Sequence, residues 1–111
     1  MPRVHFHQQL ALLKDKLLAM AALAQQALES SVDAYLQRDV DLCQYVRDNE
    51  TAINLANREV DEMSYELLAQ EQPMAIDLRF ILAVIKINGN LERIGDQAMS
   101  CLLYTSDAAD E

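Results

Sequence analysis

Residues 6–30 read FHQQLALLKDKLLAMAALAQQALES. Within this stretch Phe6, Leu10, Leu13, Leu17, Met20, Ala24 and Ala27 follow one another in steps of four and three, and Leu28, Val32 and Tyr35 continue alongside. That alternation keeps apolar side chains on one side of an α-helix and is the spacing of a seam between packed helices. The pattern breaks at Gln37-Arg38-Asp39. Asp39 is a good helix N-cap, and Asp41 then sits in a first turn, where negative charge is favoured.

The same spacing recurs twice more. Leu42, Val46, Ile53, Ala56, Val60, Met63 and Leu67 mark a second helix. It must stop at Gln72, because the residue before a proline is pushed out of the helical region. Pro73 suits the first position of a third helix, which runs to about Ser100 through Leu78, Ile81, Val84, Ile85, Ile87, Leu91 and Ile94. Each segment is about 30 residues, hence about 45 Å long. Both connections are short, so neighbours are antiparallel and a three-helix bundle is the simplest closure. Residues 1–100 form this bundle. The last eleven residues, Cys101 to Glu111, carry no continuing heptad and read as a tail, non-native or disordered.

Composition agrees with one all-α domain. The chain has 111 residues, of which 51% are apolar, enough for a real core. Its two glycines and two prolines are too few for the turns of an all-β fold, and no glycine cluster exists for a phosphate or dinucleotide loop. With 9 basic and 18 acidic residues the net charge is -9, which argues against a nucleic-acid partner but not against a metal cation or a basic protein surface. The longest uncharged run, Leu17 to Leu28, spans 12 residues, short of a bilayer crossing. The N-terminus lacks the apolar core of a secretion signal. Cys43 and Cys101 are expected to be free thiols in a reducing compartment. His5 and His7 fall in a fraying N-terminus, and the methionines Met20, Met63, Met74 and Met99 are expected to fill the core.

Polar residues interrupt the seam at matched heights. On the third helix, residues seven apart differ by about 20° in direction, so the stripe that starts as Ile81 and Ile85 becomes Asn88, Glu92 and Asp96. Glu92 and Asp96 are neighbours on one face, and two carboxylates held rigidly together suit a hard cation. The second helix carries Glu50, Asn54, Asn57 and Asp61. Folding about Pro73 pairs residues whose numbers sum to about 146, so the two stripes meet in one oxygen-lined groove. The plainer reading is a solvated face. Nothing in the sequence resembles a nucleophile motif, and neither histidine follows a glutamate at di-iron spacing, so an enzyme is not expected.

Two motifs carry a resemblance. Gln72-Pro73-Met74-Ala75-Ile76-Asp77-Leu78-Arg79, followed by Leu91-Glu92-Arg93-Ile94-Gly95-Asp96, resembles the PhoU family of phosphate-transport accessory proteins. Phe6, Leu10, Leu13, Met20 and Ile53-Asn54 are similar as well, and the resemblance covers about residues 5–100. It implies one of two tandem three-helix bundles. It implies a cytoplasmic, non-enzymatic regulator that sits between the ATPase of a phosphate ABC transporter and a sensor histidine kinase and represses the phosphate-starvation response. It also implies iron or zinc held by Glu-x-x-x-Asp motifs. Glu92 and Asp96 match one such motif, while in the other Asp61 matches and Asn57 stands where Glu is usual. Asp77 and Arg79 are expected either to bind a partner or to serve as helix cap and surface ion pair. Because a full member is about twice this length, off-seam residues such as Phe80 and Ile87 are expected to drive homo-oligomer formation. The alternatives to a regulator are a metal-binding bundle and a purely structural helical module.

Overall fold

The computed structural model describes residues 2–110, and the side chains of residues 4–100. Its elements are α1 (Pro2–Gln37), α2 (Val40–Glu71) and α3 (Ala75–Asp110). They form an antiparallel three-helix bundle, a rod of 62 × 17 × 16 Å in which each helix packs on both others. The expectation for Cys101 to Glu111 falls on residues whose side chains lie outside those described.

Both turns are set by local chemistry. Arg38, with φ 54°, ends α1 in the left-handed region, and the Asp39 amide donates back to the Ala34 carbonyl at 3.2 Å. This six-residue closure satisfies a carbonyl that the helix end leaves free. Asp39 then caps α2, its Oδ1 accepting from the amides of Asp41 at 2.9 Å and Leu42 at 3.4 Å. Gln72, with φ 44°, ends α2 in the same left-handed way.

Pro73 is not the first residue of α3. The helix begins two residues later, at Ala75, with the Met74 carbonyl accepting from the Leu78 amide at 3.1 Å. The left-handed Gln72 has already turned the chain, so Pro73 serves the turn and Met74 opens the helix. As a result Met74 is 68% exposed and fills no core, unlike Met20. The N-terminus is also helical from Pro2, and Phe6 is buried. One apolar anchor holds the first turns of α1 on the bundle.

The core has two apolar clusters. One gathers Met20, Ala27, Ala34, Cys43, Val46, Ile53 and Ala98. The other gathers Phe6, Leu10, Leu13, Val60, Leu67, Ile81 and Val84. Cys43 is a buried free thiol. Asn88, fully buried, lies along α3 between the residues of the two clusters. Buried Ser64 closes its own need by donating to the Val60 carbonyl at 2.7 Å.

The two glycines have opposite surroundings. A Cβ on Gly95 would come within 3.3 Å of Ile53 Cγ2 and 3.6 Å of Glu50 Oε2, whereas a Cβ on Gly89 would meet nothing within 4 Å. Gly95 therefore lets α2 and α3 approach closely. Alanine gains about 1 kcal/mol of helix propensity over glycine, while overpacking costs about 1–3 kcal/mol. Because Ile53 is buried and has little room to yield, thermal unfolding should show Gly89→Ala stabilised by up to about 1 kcal/mol and Gly95→Ala destabilised by about 1 kcal/mol.

Candidate functional site: an amide-clamped acidic groove

The site is the seam between α2 and α3. Asn88 is its hub. The Asn88 Nδ2 group donates to the Asn57 carbonyl at 3.0 Å, to Asn57 Oδ1 at 2.7 Å and to Asp61 Oδ1 at 3.1 Å. Two N–H bonds are thus shared among three acceptors, one of them a carboxylate. Asn57 passes the chain on, its Nδ2 donating to Glu92 Oε2 at 2.9 Å. The paired residues have numbers that sum to between 145 and 149, so the two polar stripes do meet at one height.

A burial this complete leaves one loose end. Asn88 Oδ1 is buried without a hydrogen-bond partner among the described residues, as is Asn49 Nδ2. A buried orphan acceptor costs about 1–3 kcal/mol, and the bonds of Nδ2, one of them to a carboxylate, offset it.

One step further along the groove, Glu50 faces Asp96. Partial burial pushes the Glu50 carboxyl up from its ordinary range, helped by the charge of Asp96, a hydrogen bond with Asp96 and the charge of Glu92. Such a bond between two carboxyls needs a proton on one of them. On the outside the groove opens into a cleft of about 390 Å³, lined by Asn54, Asn57, Asp61 and Glu92 together with Arg58, Glu62 and Tyr65.

The expected site residues are therefore partly united. Asn57, Asp61 and Glu92 share one hydrogen-bonded network through Asn88. Asp96 belongs to a second pair, with Glu50. Among the described residues no three His, Cys, Asp or Glu side chains converge as a metal cage would need. Asn57 presents an N–H to Glu92 where a ligand set needs an oxygen. As placed, the side chains fit an amide-clamped seam better than a ready cation site. Asp77 stands apart, in the first turn of α3, where its charge favours the helix start, and it lies 3.4 Å from His7 Nε2. Arg79 is exposed.

Glu50 and Asn88 matter more than their place in two polar stripes announced. The signal was present: Asn88 is an amide on an otherwise apolar azimuth. Arg58 and Glu62 lie one and two turns beyond Asn54, and Tyr65 one turn beyond Asp61, so they border the groove.

With this geometry in view, a family model settles kinship. The PhoU domain matches residues 17–104. The chain belongs to the PhoU domain family. The phosphate-specific transport system accessory protein PhoU homolog of Pseudomonas putida is 39% identical over 93 residues, which cover 84% of this chain and 36% of that protein. PhoU homolog 1 of Thermotoga maritima is 33% identical over 98 residues, 88% of this chain and 41% of its own. The Escherichia coli PhoU protein is 30% identical over 93 residues, 84% of this chain and 39% of its own. The chain thus spans about two fifths of the length of the curated relatives it matches.

The raised Glu50 carboxyl sets a pH dependence. A group whose carboxyl binds its proton more tightly in the fold than in the unfolded chain contributes stability at low pH and loses it as pH rises through the folded value. Going from neutral pH down towards the ordinary carboxyl range should stabilise the PhoU-domain chain relative to its Glu50→Gln variant, and the variant should be the more stable of the two at neutral pH. Melting temperatures of both proteins across that range check the sign; parallel curves would show that the proton is not held there.

Proposed function

We propose that this chain is a phosphate-transport accessory module, a non-catalytic adaptor. It links the ATPase of a phosphate ABC transporter to a sensor histidine kinase in the cytoplasm and restrains the phosphate-starvation response. The observation that carries the reading is the match of the PhoU domain to residues 17–104, shared with relatives named as phosphate-specific transport accessory proteins. The groove supports it in kind. Its side chains are amides and carboxylates already engaged with one another, an arrangement that stiffens a scaffold and presents a surface. No helix of the described residues is long and apolar enough to cross a membrane, so contact with a transporter runs through a surface of the bundle.

Asp77 and Arg79 divide the work at the start of α3. Asp77 is engaged with His7 and the helix terminus, while Arg79 is exposed and offers its guanidinium to a partner carboxylate. Immobilised transporter ATPase and sensor kinase should each retain the chain. Arg79→Glu should weaken retention about tenfold, and Asp77→Asn should lower the melting temperature with retention little changed. Failure of both partners to retain the chain rejects the adaptor reading.

A second reading places iron or zinc in the groove, against Glu92, Asp96 and Asp61, with Asn57 turned to offer its carbonyl oxygen. The acidity of the groove favours it, and the Asn57 N–H directed at Glu92 opposes it. A carboxylate at position 57 removes that opposition. Metal analysis of protein prepared without chelator should therefore find more bound iron or zinc in Asn57→Glu than in the parent. Equal metal content in the two, or a parent already saturated, would contradict the part given to Asn57.

A further inference from the structure

On α3, Arg79, Lys86 and Arg93 each stand two residues before a buried one, respectively Ile81, Asn88 and Gly95. Two residues turn a helix by about 200°, so these three lie on the side of α3 directed away from the core. They are seven apart, which holds one direction to within about 20° per step and spaces them about 10 Å along the axis. All three are exposed. They make up one third of the 9 Lys and Arg residues in a chain whose net charge is -9.

No carboxylate shares this line. Residues 78–91 contain none, and the acids at either end are turned into the seams. Asp77 lies 3.4 Å from His7 of α1, Glu92 accepts from Asn57 of α2, and Asp96 is hydrogen-bonded with Glu50. Among the described residues none of the three cations is ion-paired, and Arg93 has only a 3.5 Å contact with Asn90 Oδ1. The surface around Lys86 is low. Ala83 and Gly89 flank it on either side, and a Cβ on Gly89 would meet nothing within 4 Å. Glycine is a poor helix former, and no neighbour inside the bundle requires it at position 89, whereas Gly95 packs against Ile53. The space over Gly89 admits a backbone from outside.

We propose that the outer face of α3 is the docking surface for an acidic α-helix of a protein partner, one that carries a carboxylate every seven residues. Two observations choose that occupant. The cations repeat at the interval at which side chains of one packed helix return to another, so a helix laid along α3 meets all three with carboxylates at the same interval. The notch at Ala83 and Gly89, beside the half-exposed Leu82, lets that helix approach closely. Charges beyond about 8 Å are largely screened at physiological salt, so a narrow helix meets the basic line rather than the net charge of the chain. A nucleic acid or an anionic membrane is broader and would press on the acidic flank that α2 supplies. This surface rests on the adaptor reading, which gives Arg79 a partner carboxylate, and extends it to Lys86 and Arg93.

Fluorescence anisotropy tests the surface with the whole 111-residue chain. The probe is a labelled synthetic helix of about three heptads, with glutamate at every seventh position among alanine, leucine and glutamine. Binding is expected with a Kd of about 10–100 μM at low salt, weakening as salt rises and lost when glutamine replaces the glutamates. Lys86→Glu and Arg93→Glu should each raise that Kd at least about fivefold, while Lys14→Glu, the same charge change on α1, should leave it within about twofold. Gly89→Leu should also weaken binding, with the helical signal and melting temperature in circular dichroism maintained. Absence of binding, equal binding of the glutamine peptide, or a Lys14→Glu effect as large as that of Lys86→Glu would overturn the proposal. So would duplex DNA or phosphatidylglycerol vesicles binding through Lys86 in place of the peptide. Peptide binding by a chain that neither the ATPase nor the kinase retains would reject the adaptor reading and support this surface. Retention that responds to Arg79→Glu but not to Lys86→Glu or Arg93→Glu would keep the adaptor reading and overturn this surface.

Discussion

A single buried amide governs how α2 sits on α3. Asn88 has no exposed surface, and among the described residues its amide donates across the seam to Asn57 and Asp61. Apolar seams slide with little penalty, because one leucine replaces another at the next turn. A buried amide does not slide, since every other register strands its N–H bonds in an apolar interior. The close approach at Gly95 acts in the same direction, because the Ile53 side chain fits against a residue without a Cβ. Register and spacing of these two helices are thus fixed by one polar and one steric feature, about two turns apart along α3.

That constraint shapes the groove. Glu92 would be a bare carboxylate beside Asp96, but the amide of Asn57 takes up one of its oxygens. Asp96 in turn shares a hydrogen bond with Glu50, whose carboxyl is held above its usual range first by burial. Negative charge is therefore met by an amide at Glu92, while at Glu50 burial and the neighbouring Asp96 and Glu92 disfavour the charged form. The chemistry of the cleft follows: it is acidic, and its Asn57, Asp61 and Glu92 side chains are tied together through amide N–H groups.

Much of the fold was legible in the sequence because its determinants are local. The three-and-four spacing of Phe6 to Ala27, the capping side chain of Asp39 and the halt imposed on Gln72 each act within a few residues, and each is found as read. The start of α3 was misplaced by two residues because the left-handed Gln72, rather than Pro73, turns the chain. The anchoring of the N-terminus depended on Phe6 meeting a pocket built from Val60, Leu67 and Ile81, which no local pattern displays. The groove was legible in its height, since helix lengths and the turn fix which residues stand level. Its wiring was not. Which group Glu92 meets depends on side-chain geometry across the seam, where the Asn57 N–H donates to it at 2.9 Å.

The amide layer is the energetic clamp between α2 and α3. A double-mutant cycle of Asn57→Ala and Asn88→Ala, read by denaturant unfolding, measures that clamp directly. The expected coupling is about 1 kcal/mol, since the bond from Asn88 Nδ2 to Asn57 Oδ1 lies in a water-poor seam. Single losses that simply add, to within about 0.3–0.5 kcal/mol, would mean that the two asparagines are neighbours without being partners, and that the register of α2 on α3 is held by something else.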